Sequence, residues 1–142
     1  MTPFVVDASV AIKWVVDEIG TDKALALRGN TRRVAPELLL AECANILWKK
    51  VRRGELTASE GRFAAMLIES TGIEFVEMQS LIIEATELAI MLDHPAYDCM
   101  YIALARQDEC QLITADESLV RKLRQNTDVK LRSIAVLLDE WQ

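Results

Sequence analysis

The sequence predicts an α/β protein of three layers, in which a mainly parallel five-stranded sheet lies between two layers of helices. Short β-rich runs alternate with longer segments of helical periodicity, and parallel strands need such helical crossovers. The chain has five glycines, three prolines, and no linker or repeat. Its 142 residues are 51% hydrophobic, which is enough for one sizeable core. We therefore expect a single domain over residues 1–142.

Five runs rich in β-branched, aromatic and other apolar residues are predicted as strands. They are Phe4–Val6, Arg33–Ala35, Glu74–Glu77, Gln111–Thr114 and Val129–Arg132. Helical periodicity predicts helices over Val10–Val16, Asp22–Arg28, Glu37–Arg53, Ser59–Ser70, Leu81–Leu92, Ala96–Asp108, Ser118–Arg124 and Ala135–Trp141. In a parallel sheet that is covered on both faces, ligands bind beyond the carboxyl ends of the strands.

The cysteine content and the distribution of apolar residues argue against disulfide-rich, zinc-binding, secreted and membrane proteins. The odd count of three cysteines, with no Cys-x-x-Cys spacing, gives no support for a disulfide framework or a zinc site. The first residues lack a basic segment and reach Asp7 before any apolar stretch of signal-peptide length. No apolar run is long enough to cross a bilayer. We expect a cytoplasmic protein that makes no membrane contact.

The net charge of −6 argues at first against a nucleic-acid partner. The argument is weak, because a metal site held by carboxylates is itself acidic and the cation supplies the charge that a phosphate meets. Lysines and arginines also cluster, at residues 32–33, 49–53 and 121–124. Each cluster fits a solvated helix end equally well.

Four carboxylates stand where core-forming segments should not tolerate a charge: Asp7, Glu42, Asp98 and Asp116. Asp7 and Asp116 each follow a predicted strand, and Asp98 is the one charge in the ten residues 96–105. A buried, unpaired carboxylate costs several kcal/mol or gives up its ionisation. Clustered carboxylate oxygens are ligands that Mg²⁺ and Mn²⁺ prefer. The sequence therefore predicts a metal site.

Glu42 lies on a predicted amphipathic helix. Its apolar stripe is expected to run through Leu40, Ala44, Leu47, Trp48 and Val51, with Glu42, Asn45, Lys49 and Arg53 on the opposite side. Apolar neighbours flank Glu42 even so, which favours a half-buried acid. Lys49 and Arg53 would then continue its face as a basic track for a phosphate backbone.

Two hydroxyl side chains accompany the acids. Ser9 and Thr114 each lie two residues from an acid that follows a strand, where a hydroxyl can hydrogen-bond the carboxylate and orient it. Asp98, in the first turn of a predicted helix, also fits a purely structural role at a helix amino terminus. Only the combination of all four acids favours a functional site.

Four ordered segments resemble those of PIN-domain ribonucleases, and VapC-like toxins of toxin–antitoxin modules in particular. The resemblance extends from Val5 to about Leu137, in the family's order and spacing. Its segments are Val5–Ser9, Pro36–Asn45, Tyr97–Ala105 and Leu112–Asp116.

The resemblance implies an acidic quartet of Asp7, Glu42, Asp98 and Asp116 around Mg²⁺ or Mn²⁺, with Asp7 and Asp98 as direct ligands. It also implies that Ser9 and Asn45 orient the acids and that Thr114 steadies Asp116. RNA would be hydrolysed by a metal-bound water, with Glu42 or Asp116 as the proton acceptor, leaving a 5′-phosphate. The expected partners are RNA, a cognate antitoxin and a second copy of the chain. Glu117 departs from the pattern, as a further acid that either joins the site or caps a helix.

Three other interpretations fit less well. A phosphotransfer receiver domain needs paired acids after its first strand, and Asp7 is followed by Ala8. A haloacid-dehalogenase-like phosphatase needs a second aspartate where this chain has Ser9. A catalytically weak PIN domain that binds RNA or protein is the remaining alternative. The single histidine, His94, is expected to cap or pack at a helix start.

Overall fold

The computed structural model describes residues 3–27, 29 and 31–141. Its sheet comprises β1 (Phe4–Val6), β2 (Arg33–Pro36), β3 (Ile73–Val76), β4 (Gln111–Thr114) and β5 (Ala135–Leu137). Its α-helices are α1 (Ala8–Ala11), α2 (Thr21–Ala26), α3 (Leu38–Arg52), α4 (Ala58–Ile68), α5 (Ile82–Leu92), α6 (Ala96–Gln107), α7 (Glu117–Arg124) and α8 (Val129–Arg132). The predicted three-layer α/β/α fold is confirmed.

All neighbouring strands pair in parallel, in the order β3-β2-β1-β4-β5. From β1 the chain builds the sheet outward through β2 and β3, and then returns to the other side of β1 to add β4 and β5. The order therefore reverses between β1 and β4. In open α/β sheets such a reversal leaves a crevice beyond the carboxyl ends of the two strands.

Helix α6 lies at the centre of the fold. Its residues Cys99 to Ala105 are all buried, because the helix packs on β1, β2 and β4 and is covered by α5. Such an unbroken apolar run is typical of a helix enclosed on all sides. Asp98 immediately precedes this run, so the carboxylate stands at the edge of the core.

Helix α3 is rotated relative to the sequence prediction. Its buried residues are Leu39, Cys43 and Leu47, whereas Leu40 and Trp48, which were expected inside, are 42% and 52% exposed. Cysteine packs as a small apolar residue, so a stripe through Cys43 is as apolar as the predicted one. The rotation brings Glu42 to the border of the core.

The prediction for the last strand was wrong. Residues Val129–Arg132 form α8, because the Asp128 side chain accepts a hydrogen bond from the Lys130 N–H and caps a helical turn. The fifth strand is Ala135–Leu137, within a segment predicted to be helical, and it pairs with β4. No helix of the described residues is both long enough and apolar enough to span a membrane.

Candidate active site

Asp7 and Asp116 lie at the carboxyl edge of the sheet, beyond β1 and β4. Asp7 follows β1 directly and is the N-cap of α1, and Asp116 comes two residues after β4 and is the N-cap of α7. Because β1 and β4 are paired neighbours, both acids stand at the crevice where the strand order reverses. This is the placement that the sequence predicts.

Both carboxylate oxygens of Asp7 accept hydrogen bonds from hydroxyl groups. Ser9 Oγ donates to Oδ1 at 2.5 Å, and Thr114 Oγ1 donates to Oδ2 from the neighbouring strand. The Val10 N–H adds a longer bond to Oδ1 at 3.3 Å. Asp7 is thereby held in one orientation, in agreement with the predicted orienting role of Ser9.

The two hydroxyls are themselves held by the backbone that follows β4. Ser9 Oγ accepts from the Ala115 N–H at 3.0 Å, and Thr114 Oγ1 accepts from the Asp116 N–H at 3.0 Å. Because their lone pairs are engaged, both hydroxyl hydrogens are free to point at Asp7. Thr114 therefore links the two acids, although its hydroxyl hydrogen goes to Asp7 rather than to the Asp116 side chain.

The pKa of Asp7 is raised to about 6, chiefly because burial removes water from the carboxylate. The bonds from Ser9, Thr114 and Val10 oppose the rise, and the negative charge of Asp98 adds to it. Three hydrogen-bond donors are thus insufficient to stabilise the charge of this group. A nearby cation would do so.

Glu42, from the second turn of α3, meets the site from another direction. Its Oε1 accepts a hydrogen bond from the hydroxyl of Tyr101 on α6. Burial raises the pKa of Glu42, the Tyr101 bond opposes the rise, and the charge of Asp98 adds to it. Asp98 raises the pKa of both Asp7 and Glu42, so the three carboxyl groups form one electrostatic cluster that is linked through Asp98.

Asp98 lies in the first turn of α6 and its side chain is 33% exposed. Its Oδ2 lies 2.6 Å from Nε2 of His94, which precedes the helix. Asp116 differs in that its Oδ1 accepts from the Leu119 N–H at 3.1 Å, as a helix cap does. Glu117 is exposed in the first turn of α7.

No lysine or arginine in the described part of the chain forms an ion pair with Asp7, Glu42, Asp98 or Asp116. Within the same residues, no three acidic, imidazole or thiol side chains already stand at ligand spacing. The acids are instead bonded to hydroxyls and an imidazole. Carboxylate oxygens near one another, with the pKa of Asp7 and Glu42 raised, fit a divalent cation, whose binding would draw these side chains together.

A cleft of about 340 Å³ adjoins the site at Ser9 and is lined on the α3 side by Ile46, Lys49, Lys50 and Arg53. Asn45, expected to orient the acids, is exposed, and its side chain forms no hydrogen bond within the described chain. The face that continues from Glu42 into the cleft is therefore Ile46, Lys49 and Arg53, with Ile46 in place of the predicted Asn45.

Two contacts of the site were missed from the sequence: Tyr101 on Glu42, and His94 on Asp98. A weak signal existed for each, since Tyr101 and His94 lie three residues after and four residues before Asp98. The first spacing places Tyr101 on the same face of α6 as Asp98, whereas His94 lies just before that helix begins. The buried thiols of Cys43 and Cys99 directly follow two of the acids, and burial raises their pKa to about 12 and about 11.

Comparison with protein families identifies the class to which this fold and site belong. The PIN domain profile matches residues 4–124. That match covers most of the chain, and the chain belongs to the PIN-domain family.

Among curated proteins the chain is similar to VapC ribonucleases. It is 31% identical over 112 residues to Ribonuclease VapC9 of Mycobacterium tuberculosis, which is 79% of this chain and 84% of the relative. It is 31% identical over 124 residues to Ribonuclease VapC3 of Pyrobaculum aerophilum, covering 83% and 92%. The crystal structure of PAE2754 from Pyrobaculum aerophilum shares the fold, with a TM-score of 0.64, 22% identity, and coverage of 85% of this chain and 79% of that one.

Proposed function

We propose that this protein is a ribonuclease that depends on Mg²⁺ or Mn²⁺, and that it is the toxin of a VapBC-type toxin–antitoxin pair in the cytoplasm. The observation that carries the proposal is the Asp7 carboxyl group, whose pKa is raised to about 6 by burial and by the charge of Asp98. Among the described residues no lysine or arginine forms an ion pair with it. The names of the similar proteins support RNA as the substrate.

The residues that would hold the metal are Asp7 and Asp98, with Glu42 and Asp116 completing the acidic site. A bound Mg²⁺ or Mn²⁺ would lower the pKa of a water molecule and neutralise a phosphodiester oxygen. Ser9 and Thr114 keep the Asp7 carboxylate in place whether or not a cation is present. Among the described residues no lysine or arginine is ion-paired with these acids, so a metal ion would not have to displace a basic side chain, which favours tight binding.

Glu42 is the better candidate than Asp116 for accepting the proton of the attacking water. Its raised pKa brings it closer to the working pH, which suits a general base. Tyr101 occupies Oε1, so Oε2 is the oxygen that receives the proton. Asp116 is already engaged at the start of α7. In-line attack would leave a 5′-phosphate and a 3′-hydroxyl.

Lys49 and Arg53 are proposed to bind the RNA backbone. Of the four basic residues in the cleft beside Ser9, Lys13 and Lys50 are paired with Glu18 at 3.0 and 2.8 Å. Arg53 has a single distant partner, Glu55 at 3.9 Å. The positive charge of Lys49 and Arg53 is therefore the least neutralised in the cleft, and it leads along α3 towards Glu42.

Exposed apolar side chains on two helices support protein partners, proposed to be the antitoxin and a second copy of the chain. Phe63 and Met66 of α4 are 60% and 69% exposed, and Ile83 and Ile90 of α5 are 75% and 77% exposed. Apolar residues that gather on one surface are typical of binding sites for other proteins.

The proposed activity is tested by incubating the protein with single-stranded RNA that carries a fluorescent label. Cleavage is expected with Mg²⁺ or Mn²⁺, is expected to stop with EDTA, and should leave 5′-phosphate ends. Asp7→Asn should be inactive, and Glu117→Gln, which changes an exposed neighbouring acid, serves as the matched control. Cleavage that survives EDTA, or cyclic phosphate products, would exclude this mechanism. RNA binding without cleavage would favour the alternative of a binding module.

The RNA track is tested with Lys49→Met and Arg53→Met, and with Lys130→Met at the opposite edge of the sheet as a control. Each cleft variant should weaken RNA binding and reduce the slope of log K against log salt by about one. The control should leave both unchanged. Equal RNA affinity in all three variants would show that RNA binds to another surface of the protein.

The toxin role is tested by expression in cells. The wild type should arrest growth. The expected antitoxin is a small protein with a basic tail, encoded by a neighbouring gene, and its co-expression should restore growth. Growth arrest that persists in Asp7→Asn would show that the effect does not come from ribonuclease activity.

A further inference from the structure

The single histidine of the chain contacts an acid of the site. Asp93 ends α5 in a left-handed conformation, with φ of 50°, and Pro95 restricts the backbone just before α6. This turn folds His94 back so that Nε2 lies 2.6 Å from Asp98 Oδ2. The imidazole is 12% exposed, so packing as well as this contact fixes its position.

A lysine from α7 holds the other side of the imidazole. Lys122 Nζ donates to the backbone carbonyl of Asp93 at 2.8 Å, and it lies 3.4 Å from Nδ1 of His94. An ammonium group has only hydrogens to offer, so Nδ1 faces it as an acceptor. The imidazole hydrogen is then on Nε2, which donates it to Asp98.

This arrangement leaves one oxygen of Asp98 available. His94 occupies Oδ2, so Oδ1 is the oxygen that can meet a cation shared with Asp7. Outer-shell hydrogen bonds of this kind orient metal ligands, and their loss commonly weakens metal binding. No other side-chain hydrogen bond reaches Asp98 in the described chain.

We propose that His94 is a positioning residue for Asp98 and that Lys122 selects the imidazole tautomer that lets it act. The proposal rests on the metal-dependent function proposed above. It assigns His94 no contact with RNA and no proton transfer. A purely structural role, in which the His94–Asp98 bond only secures the start of α6, differs in its consequences, since it affects the melting temperature and not the affinity for metal.

The first test measures Mn²⁺ binding by titration calorimetry in the absence of RNA. His94→Leu should weaken Mn²⁺ binding by about 10- to 100-fold. His94→Gln should recover much of the loss, because its amide can donate a hydrogen from a position near that of Nε2. Arg106→Met is the matched control. Arg106 lies at the far end of α6, the helix of Asp98, and the substitution breaks its ion pair with Glu84 of α5 at 3.3 Å. It should change the melting temperature alone.

Unchanged Mn²⁺ affinity in His94→Leu, or His94→Gln as weak as His94→Leu, would overturn the proposal. The two proposals fail separately. A wild type that binds Mn²⁺ but cleaves no RNA removes the ribonuclease function and leaves the role of His94 intact. A wild type that cleaves RNA, with His94→Leu binding Mn²⁺ equally well, removes only the role of His94.

The second test observes the tautomer of His94 directly, and its decisive result comes from the wild type. The one histidine gives one set of imidazole signals in a ¹H–¹⁵N spectrum of the metal-free protein. The spectrum should show the hydrogen on Nε2, and Lys122→Met should yield a mixture of the two tautomers. A hydrogen on Nδ1 in the wild type would overturn the proposal.

Discussion

Asp7 and Asp116 have nearly the same local structure and different environments. Each follows a strand of the central pair, each caps a helix, and each lies near Thr114. Asp7 accepts two hydroxyl hydrogens and still has a pKa raised to about 6. Asp116 accepts one backbone N–H at the start of α7, and its charge is not among the causes that raise the pKa of Asp7 or Glu42.

From this difference we infer that the four acids do not share one role. Asp7, Glu42 and Asp98 form an electrostatic cluster that a cation would stabilise, whereas Asp116 already has a structural role. The acids are all partly buried, and the groups that each carboxylate contacts, rather than its position in the sequence, distinguish them. Substitutions of Asp7 and Asp116 test how far the roles of the two acids differ.

The largest expected difference is in the rate of RNA cleavage. Asp7→Asn should lower kcat by roughly 100- to 1,000-fold, the range seen when a group that stabilises transition-state charge is removed. Asp116→Asn should lower it by about tenfold, as for a group outside the ligand shell. Single-turnover kinetics at saturating Mg²⁺ make the comparison, and equal losses would show that the two acids hold the metal together.

The second difference concerns stability against pH in EDTA. The folded-state pKa of Asp7 is about 6 against an ordinary 3.8, so the folded protein binds this proton more tightly than the unfolded chain. Its stabilising contribution is fully present below pH 3.8 and is lost as the pH rises through about 6. Between pH 7 and pH 4 the wild type should gain up to about 3 kcal/mol relative to Asp7→Asn.

Urea denaturation at several pH values measures this gain. Asp116→Asn is the comparison variant, which keeps Asp7 and should keep the gain that Asp7 provides as the pH falls through about 6. If Asp7→Asn shows the same gain, the Asp7 carboxylate is as well solvated as an exposed one, and the contrast with Asp116 disappears.

A third prediction asks which acid accepts the proton. Tyr101→Phe removes the hydrogen bond that lowers the pKa of Glu42, so that pKa should rise further. If Glu42 is the base, the acidic limb of the kcat–pH profile moves to higher pH, and a shift of one unit would reduce activity about tenfold at low pH. An unmoved limb would favour Asp116 as the base.

The smallest effect is expected at the cap itself. Asp116→Ala should lower the free energy of unfolding by about 1 kcal/mol, because the Leu119 N–H loses its acceptor. Asparagine also caps helices, so Asp116→Asn should cost much less. Thermal melts without metal distinguish the two, and equal stability of wild type and Asp116→Ala would mean that the cap contributes nothing.

Much of the fold could be predicted because strands and helices alternate clearly along the chain. The end of the chain could not, since Val129–Arg132 alternates apolar and basic residues as a strand does. Whether this segment forms a strand or a helix depends on Asp128, whose side chain caps a helix. In α3 the apolar stripe was misplaced because Leu39 and Leu40 are equally apolar, and only packing against the sheet selects Leu39.

The acids of the site could be predicted because a charge that interrupts an apolar run is conspicuous. Their partners could not all be predicted. Tyr101 and Glu42 are 59 residues apart in the sequence, and no local sequence pattern predicts a contact between residues so far apart. Ser9 and Thr114 were recognisable because they are close in sequence to the acids, but it is the strand pairing that brings Thr114 to Asp7.

The reactivity of the two thiols beside the acids reports on opening of the site. Cys43 and Cys99 are buried, and burial raises the pKa of their thiols to about 12 and about 11. Because only an exposed thiolate reacts readily, alkylation at these positions requires the structure around Glu42 and Asp98 to open transiently. The rate of alkylation thus measures how often the acidic cluster opens, and a cation that ties the acids together should slow it in proportion to its hold on them.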